Sequence, residues 1–116
     1  MTGPDGRVLI EISRHTEHPD GVQHLPVAVI DVAGEIDAET APVLRTALTQ
    51  AIRHNRRVCC DLSRVAFLGA DGANTIFGAV RSADDTGCAF SVRGVHGISA
   101  LVFQITGLAA VLAGRA

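Results

Sequence analysis

Residues 58–92 of the chain read VCCDLSRVAFLGADGANTIFGAVRSADDTGCAFSV, and this stretch decides the fold. Its two ends, residues 58–62 and 88–92, are short apolar segments of the kind that form buried strands. The segment between them places four apolar side chains on one face of a helix: Ala73, Ile76, Phe77 and Val80. Because strands separated by a helix usually pair in parallel through a right-handed crossover, the stretch predicts an α/β fold.

The same pattern extends toward the N-terminus. Residues 25–34 are dense in β-branched side chains, which predicts a well-buried strand. The helix after it has the apolar face Leu44, Ala47, Leu48, Ala51 and Ile52. We expect Asp37 or Thr40 to cap this helix. Residues 8–12 predict an earlier strand and the polar residues 14–21 a turn, so these two strands should form an antiparallel pair.

The C-terminal part predicts a third helix. Its apolar face consists of Ile98, Leu101, Val102 and Ile105. We expect Gly107 to end it, whereas residues 108–112 fit either a short strand or extra helical turns. The sequence as a whole predicts one α/β domain over residues 1–116, with a core spanning about residues 7–112. A mixed sheet of four to five strands and three to four helices are expected.

Composition excludes several classes of function. The chain has 116 residues, of which 47% are hydrophobic and 19% charged, as expected for one folded domain. A net charge of -2 and 3% aromatic residues disfavour direct nucleic-acid binding. The sequence contains no run of about 20 apolar residues, so no membrane-spanning helix is predicted. The first residues do not resemble a signal peptide, and three cysteines are an odd number, so we expect a reduced, cytoplasmic protein.

The chain lacks the common catalytic motifs, so we expect no enzyme and no cofactor. If the chain were an enzyme, the alternative function would be that of a small hydrolase or phosphatase. A phosphatase loop needs an arginine six positions after its cysteine, but Val65 follows Cys59 and Ala66 follows Cys60 at that spacing. A Gly-x-Ser-x-Gly elbow and a phosphate-binding loop with lysine are also absent from the sequence.

The remaining polar residues have structural interpretations. His15 and His18 have the spacing of metal ligands, with His24 nearby, but they lie in a polar segment and are interpreted as solvated, so no metal site is predicted. His96 is interpreted as a turn residue. Asp31 interrupts an apolar strand, and we expect it to face solvent at an edge or to pair with an arginine. Asp61 is expected to serve a loop at the end of its strand.

Four short motifs occur in a particular order along the chain. They are Gly34-Glu35-Ile36-Asp37, Asp61-Leu62-Ser63, Phe67-Leu68-Gly69-Ala70-Asp71-Gly72 and Gly107-Leu108. With this order and spacing the chain resembles the STAS family, and within it the bacterial anti-sigma factor antagonists. The resemblance extends over roughly residues 7–112 and implies a STAS-like domain.

The resemblance implies a protein-binding function in transcription regulation. Such an antagonist binds an anti-sigma factor, typically a kinase-like protein with an ATP site, and so frees a sigma factor. The kinase phosphorylates a serine in the turn before the second helix, which breaks the complex. The matching residues here are Gly69, Ala70, Asp71 and Gly72, beside the partner-binding residues Glu35 and Asp37. Ala73 and Asn74 are added because they are near. We expect a monomer or a homodimer.

The chain departs from the family at this turn. Ala70 occupies the position of the usual phosphoserine and has no hydroxyl, so control at that position cannot use phosphorylation. Asp71 replaces a second serine. Either binding is constitutive, or Asp71 acts as a partial phosphate mimic; its structural interpretation is a first-turn residue stabilised by the helix dipole. Ser63 and Thr75 are alternative acceptors, although Thr75 is expected to hydrogen-bond within its own helix.

The cysteines suggest a second kind of switch. Cys59 and Cys60 are adjacent on one strand and therefore point to opposite faces, so at most one of them can face Cys88 on a neighbouring strand. The alternative is that all three are inert, buried side chains.

A STAS module of a stressosome-like or transporter-associated assembly is the alternative function for the whole chain.

Overall fold

The fold was determined as a computed structural model, which describes residues 10–19 and 25–113. The strands are β1 (Ile10–Glu17), β2 (Val27–Ile36), β3 (Arg57–Leu68) and β4 (Ala89–Arg93), and the helices are α1 (Ala41–His54), α2 (Ala70–Thr86), α3 (Gly97–Ile105) and α4 (Leu108–Ala113). The strands form one sheet in the order β1-β2-β3-β4. β1 pairs with β2 antiparallel, whereas β2, β3 and β4 are mutually parallel. The predicted α/β class and mixed sheet are confirmed.

The main core lies on one face of the sheet. Alternate residues of β2, such as Ile30 and Val32, point into it together with Leu62 of β3 and Phe90 of β4. The predicted apolar face of α1 is correct, because Leu44, Leu48, Ala51 and Ile52 are buried there and Ala47 packs against them. α1 and α2 also pack against each other. The helices therefore cover this face of the sheet.

The opposite face of the sheet is largely open. Its only buried apolar cluster within residues 10–19 and 25–113 consists of Val27, Val29 and Cys59. Polar side chains that follow these residues at intervals of two share the same face, because side chains alternate along a strand. The open face therefore carries both a small apolar cluster and a polar region beside it.

Two strands are longer than the sequence predicts. β1 extends to Glu17, so the predicted turn over residues 14–21 is wrong for residues 14–17. Residues 20–24 lie outside the described residues, as do Val8 and Leu9 of the first predicted strand. β3 extends to Leu68 instead of ending at residue 62. Its pairing with β2 shifts register twice, between Asp31 and Ala33 and between Gly34 and Glu35. These shifts interrupt the alternation by which a strand is recognised.

The C-terminal helices differ from the prediction in orientation. α3 buries Ser99 and Phe103, whereas most of the predicted inner face, namely Ile98, Leu101 and Ile105, is exposed. Gly107 has a positive φ of 81° and separates α3 from α4, as expected. The segment after it is helical, which settles the alternative left open by its pattern.

Candidate functional site

Two loops lie side by side at the carboxyl end of the parallel strands. The pairing of β2 with β3 places Glu35 opposite Phe67 and Ile36 opposite Leu68. The backbone N–H of Gly69 donates a hydrogen bond of 3.0 Å to the carbonyl of Ile36. The loop that enters α1 and the turn that enters α2 are therefore held together, as a shared binding surface requires.

The loop before α1 is fixed by reciprocal hydrogen bonds. The Asp37 carboxylate accepts from the N–H groups of Glu39 at 3.0 Å and Thr40 at 3.1 Å. The buried Thr40 hydroxyl accepts from the Asp37 N–H at 2.9 Å and donates to the Glu35 carbonyl at 2.7 Å. Thr40 is the N-cap residue of α1, but its hydroxyl makes no cap hydrogen bond to the helix, so the prediction is wrong for Thr40. The Asp37 carboxylate instead caps the turn that leads into α1, where the Asp37 carbonyl also accepts from the Ala41 N–H at 2.8 Å. Both side chains instead stabilise the loop.

The turn before α2 depends on a close approach at Gly72. A Cβ atom at this position would lie 2.7 Å from Leu68 Cγ and 2.8 Å from Ile36 Cγ2. Both neighbours are buried in the core, so they cannot easily move away. The absence of a side chain at Gly72 lets the first turn of α2 pack directly on the ends of β2 and β3.

The first turn of α2 presents Ala70 and Asp71 to solvent. Gly69 is the N-cap residue, and Asp71 is the acidic residue of this turn. A carboxylate here is stabilised by the free N–H groups and the dipole of the helix. Within the described ranges, the Asp71 side chain has no hydrogen bond or ion pair. Its carboxylate is therefore available to a partner.

The predicted binding residues differ in accessibility. Glu35 and Asn74 are exposed, whereas Asp37 is half-buried. Ala73 is buried in the core, so its inclusion as a contact residue is wrong, because packing takes up its small side chain. The predicted residues with exposed side chains are Glu35, Ala70, Asp71 and Asn74, which we call the α2 surface.

The two alternative phosphate acceptors have different environments. Thr75 is buried, and its hydroxyl donates to the Asp71 carbonyl at 2.9 Å, which confirms the expected bond within its own helix. Ser63 is exposed, and its hydroxyl donates to the Asp61 carboxylate at 2.6 Å. Ser63 lies inside β3 rather than at its end. A kinase could reach Ser63 more easily than Thr75, and phosphorylation of either stays a prediction.

The cysteines are far apart in the sheet register. Cys60 belongs to the main core and Cys59 to the small cluster on the open face, as their adjacency predicts. Cys60 is level with Val92, four residues beyond Cys88, which corresponds to about 13 Å along a strand. All three are free, and burial raises the pKa of each thiol. Because the thiolate is the reactive form, this environment favours inert side chains. Redox control stays a prediction.

The open face of the sheet carries an ionic network that the sequence motifs do not indicate. Arg93 donates to both carboxylate oxygens of Glu17, at 2.8 and 2.7 Å, and to Asp61 at 2.8 Å. His15 lies between Glu17, at 2.6 Å, and Asp31. The network thus connects β1, β2, β3 and β4. A signal for it in the sequence was Asp31, a charged residue that interrupts an apolar strand.

The network holds two aspartates that face each other across β2 and β3. Asp31 and Asp61 are paired in the register, an arrangement of like charges that is unfavourable by itself. His15 pairs with Asp31 and Arg93 with Asp61, so each carboxylate has its own cationic partner. Asp31 was expected to face solvent at an edge or to pair with an arginine; it lies on the inner strand β2 and pairs with a histidine instead. The expectation for Asp61 is also wrong, because it lies inside β3.

Proton affinities in the network are shifted. Hydrogen bonds from Arg93, and then from His15, lower the pKa of Glu17 to about 2. The Ser63 hydroxyl, followed by Arg93, lowers the pKa of Asp61 to about 2. Hydrogen bonds to Glu17 and Asp31 raise the pKa of His15. The arrangement is suited to holding the four strands together.

The other histidines contribute little to a site. His18 is exposed, and His24 lies outside the described residues. The His96 ring nitrogen Nε2 is 3.0 Å from the Ser63 carbonyl, at the N-terminus of α3. Over residues 10–19 and 25–113, no group of three or more His, Cys, Asp or Glu side chains could hold a metal ion. In the same ranges, no helix is both long and apolar enough to cross a membrane.

Comparisons with known proteins agree with this geometry. A family model described as "Mlab, STAS domain" matches residues 21–113. The chain is 31% identical over 107 residues to the anti-sigma-B factor antagonist of Listeria monocytogenes, covering 90% of this chain and 86% of the relative.

Solved structures show the same architecture. An anti-sigma factor antagonist from Mycobacterium paratuberculosis is 29% identical with a TM-score of 0.64, covering 97% of this chain and 87% of that one. The anti-sigma factor antagonist SpoIIAA in its unphosphorylated form is 19% identical with a TM-score of 0.63, covering 83% of this chain and 82% of that one. This last similarity concerns the fold alone.

Proposed function

Because the chain belongs to the STAS domain family, we propose that it is an anti-sigma factor antagonist, which binds an anti-sigma factor and so frees a sigma factor. The names of its relatives in Listeria and Mycobacterium support this function. Those relatives are regulatory proteins rather than enzymes. The partner is expected to be a kinase-like protein with an ATP site.

The observation that carries the proposal is the exposed α2 surface. The Gly69–Ile36 hydrogen bond fixes its two loops relative to each other, and the close packing at Gly72 fixes the helix. A surface held rigid before binding loses little conformational entropy when a partner docks. Four of the predicted residues, Glu35, Ala70, Asp71 and Asn74, have side chains exposed for contact with a partner.

Control by phosphorylation at the usual position is absent in this proposal. Ala70 is exposed where a kinase would act but has no oxygen to accept a phosphoryl group. Asp71 carries a single negative charge, less than a phosphoserine, and the N-terminus of α2 stabilises that charge. We therefore propose a constitutive antagonist, whose complex the kinase does not break at this turn.

Affinity capture tests the proposed function. Tagged wild-type protein is incubated with lysate of the source cells, and captured proteins are identified by mass spectrometry beside the variants Asn74→Arg and Gln50→Arg. Gln50 is exposed on α1 and serves as the matched control. We expect wild type and Gln50→Arg to capture a protein with a kinase-type ATP site, and Asn74→Arg to lose most of it.

Two results would contradict this proposal. Capture that is equal for Asn74→Arg and wild type would mean that the α2 surface is not the docking site. Capture of permease or ATP-driven transporter subunits instead of an anti-sigma factor would favour the alternative of a transporter-associated STAS module. The variant Asp71→Ser tests whether the Asp71 carboxylate strengthens or weakens binding to the partner. If binding is constitutive, Asp71→Ser should capture no more partner than wild type does.

A further inference from the structure

Phe67, at the end of β3, is an exposed aromatic side chain. It is 40% exposed, whereas the other three phenylalanines of the chain, Phe77, Phe90 and Phe103, are half-buried or buried. An aromatic ring carries a large apolar area, and such rings dominate the energetics of cores and interfaces. Folding of the domain has left part of this area on Phe67 in water, where it is available for a further contact.

Phe67 lies next to the α2 surface. It is the partner of Glu35 in the register of β2 and β3. The edge of its ring lies beside Gly69, the N-cap residue of α2, where an added Cβ atom would be 3.3 Å from Phe67 Cε2 and 3.4 Å from Phe67 Cζ. The exposed ring is therefore continuous with the surface that we propose to bind the anti-sigma factor.

The neighbouring backbone supports the ring of Phe67 from one side. Gly69 packs against the ring edge, and the Gly69 N–H is itself fixed by its 3.0 Å hydrogen bond to the Ile36 carbonyl. A side chain that is already held in place loses little conformational freedom when a partner binds. Phe67 is thus presented to a partner at a low entropic cost.

The α2 surface has no apolar centre without Phe67. Its four side chains provide one methyl group, at Ala70, and three polar groups, at Glu35, Asp71 and Asn74. Protein interfaces usually have an apolar core, enriched in aromatic residues, inside a polar rim. We propose that Phe67 is the apolar anchor of the α2 surface and inserts into an apolar pocket of the anti-sigma factor, an inference that rests on the proposed function.

The charges beside the ring favour a protein partner over other occupants. Glu35 and Asp71 are carboxylates on the same surface, and anionic lipid headgroups would repel them. A second copy of the chain that used this surface would place these carboxylates opposite their own copies, which is unfavourable. A different protein, with a pocket of its own, meets neither difficulty.

Titration with the purified anti-sigma factor, the one that wild type captures from lysate, tests the anchor. Phe67→Ala should raise the Kd by about 30-fold or more, mainly through faster dissociation, as expected when an aromatic residue is removed from the centre of an interface. Leu25→Ala is the matched control, because Leu25 is 49% exposed but lies before the opposite end of β2, and it should bind as wild type does. Circular dichroism confirms that each variant is folded.

A fluorescent variant tests directly whether position 67 becomes buried in the complex. The chain has no tryptophan and no tyrosine, so Phe67→Trp introduces a single indole. Indole emission moves to shorter wavelength when the ring leaves water. The emission of Phe67→Trp should therefore shift when the anti-sigma factor binds, whereas that of Leu25→Trp should not. The spectrum of the anti-sigma factor with wild type is subtracted. A purely structural role of Phe67 would not produce this shift.

The outcomes separate the anchor from the proposed function. If Phe67→Ala binds the anti-sigma factor as tightly as wild type does, or if bound Phe67→Trp shows no shift, the anchor is overturned and the proposed function stands. A shift of Phe67→Trp with its own concentration, in the absence of the anti-sigma factor, would mean that a second copy covers the ring and would also overturn the anchor. If wild type binds no anti-sigma factor, the proposed function is overturned and the anchor with it.

Discussion

Gly72 shows how a single residue determines whether the α2 surface forms. The position has no room for a methyl group, whereas Gly78 in the same helix has no atom within 4 Å of an added Cβ. The sequence motif identified the turn and its glycines, since a short run of small residues before a helical pattern is easy to recognise. It could not identify which glycine is packed tightly, because that depends on Ile36 and Leu68 from other parts of the fold.

Alanine substitutions at the two glycines should have opposite effects. Gly72→Ala is expected to destabilise the fold by about 1–3 kcal/mol, since it overpacks a tight contact. Gly78→Ala is the control and is expected to stabilise it by up to about 1 kcal/mol, because alanine favours a helix interior. Urea denaturation followed by circular dichroism measures both. Equal or greater stability of Gly72→Ala relative to Gly78→Ala would mean that the close approach is absent.

The ionic network predicts a particular pH dependence of stability. Glu17 and Asp61 have pKa values of about 2 in the fold, below their ordinary values of 4.5 and 3.8. Their contribution is present above those ordinary values and is lost as pH falls toward 2. The pKa of His15 is raised above 6.5, so its contribution is complete below 6.5 and is lost as pH rises through the value in the fold.

The stabilisation by the network is therefore expected to be greatest between about pH 5 and 6.5. The check is the free energy of unfolding from pH 3 to 9 for wild type, His15→Gln and the control His54→Gln, an exposed histidine on α1 outside the network. His15→Gln should lose the decline seen above pH 6.5, and His54→Gln should keep it. A profile of His15→Gln parallel to that of wild type would show that His15 does not stabilise the fold through its charge.

At the scale of elements, predictions succeeded where the hydrophobic period is regular. α1 and α2 have one apolar face each, and both were located from that face. The full length of β1 was not predicted, because residues 13–16 are all exposed on an edge strand and carry no alternating pattern. α3 was placed correctly but rotated, since it is apolar on both sides and its pattern alone does not choose the inner one.

Two substitutions in α3 test which side faces the core. Phe103→Ala should destabilise the fold by about 3–5 kcal/mol, because it removes a buried aromatic side chain. Ile105→Ala should change stability by no more than about 0.5 kcal/mol, because that side chain is mostly exposed. Thermal or urea denaturation distinguishes the two. A larger loss for Ile105→Ala would mean that α3 is rotated toward the predicted face.

At the scale of the whole molecule, the sheet separates two kinds of chemistry. Its carboxyl end carries the α2 surface, built from loops whose motifs are local in sequence and were therefore predicted. Its open face carries the ionic network, which joins residues as far apart as Glu17 and Arg93. No local pattern connects those two residues, and only the strand order brings them together. The proposed binding function uses the first of these regions, while the second stabilises the sheet that positions it.

In the function that we propose, the chain is a binding protein whose complex cannot be broken by phosphorylation at Ala70. The most direct measurement combines the purified anti-sigma factor with ATP and follows both phosphate transfer and complex lifetime for wild type and Ala70→Ser. We expect wild type to remain bound without phosphate, and Ala70→Ser to accept a phosphoryl group and dissociate. Release of wild type on addition of ATP, or failure of wild type to bind the anti-sigma factor at all, would show that the proposed function is wrong.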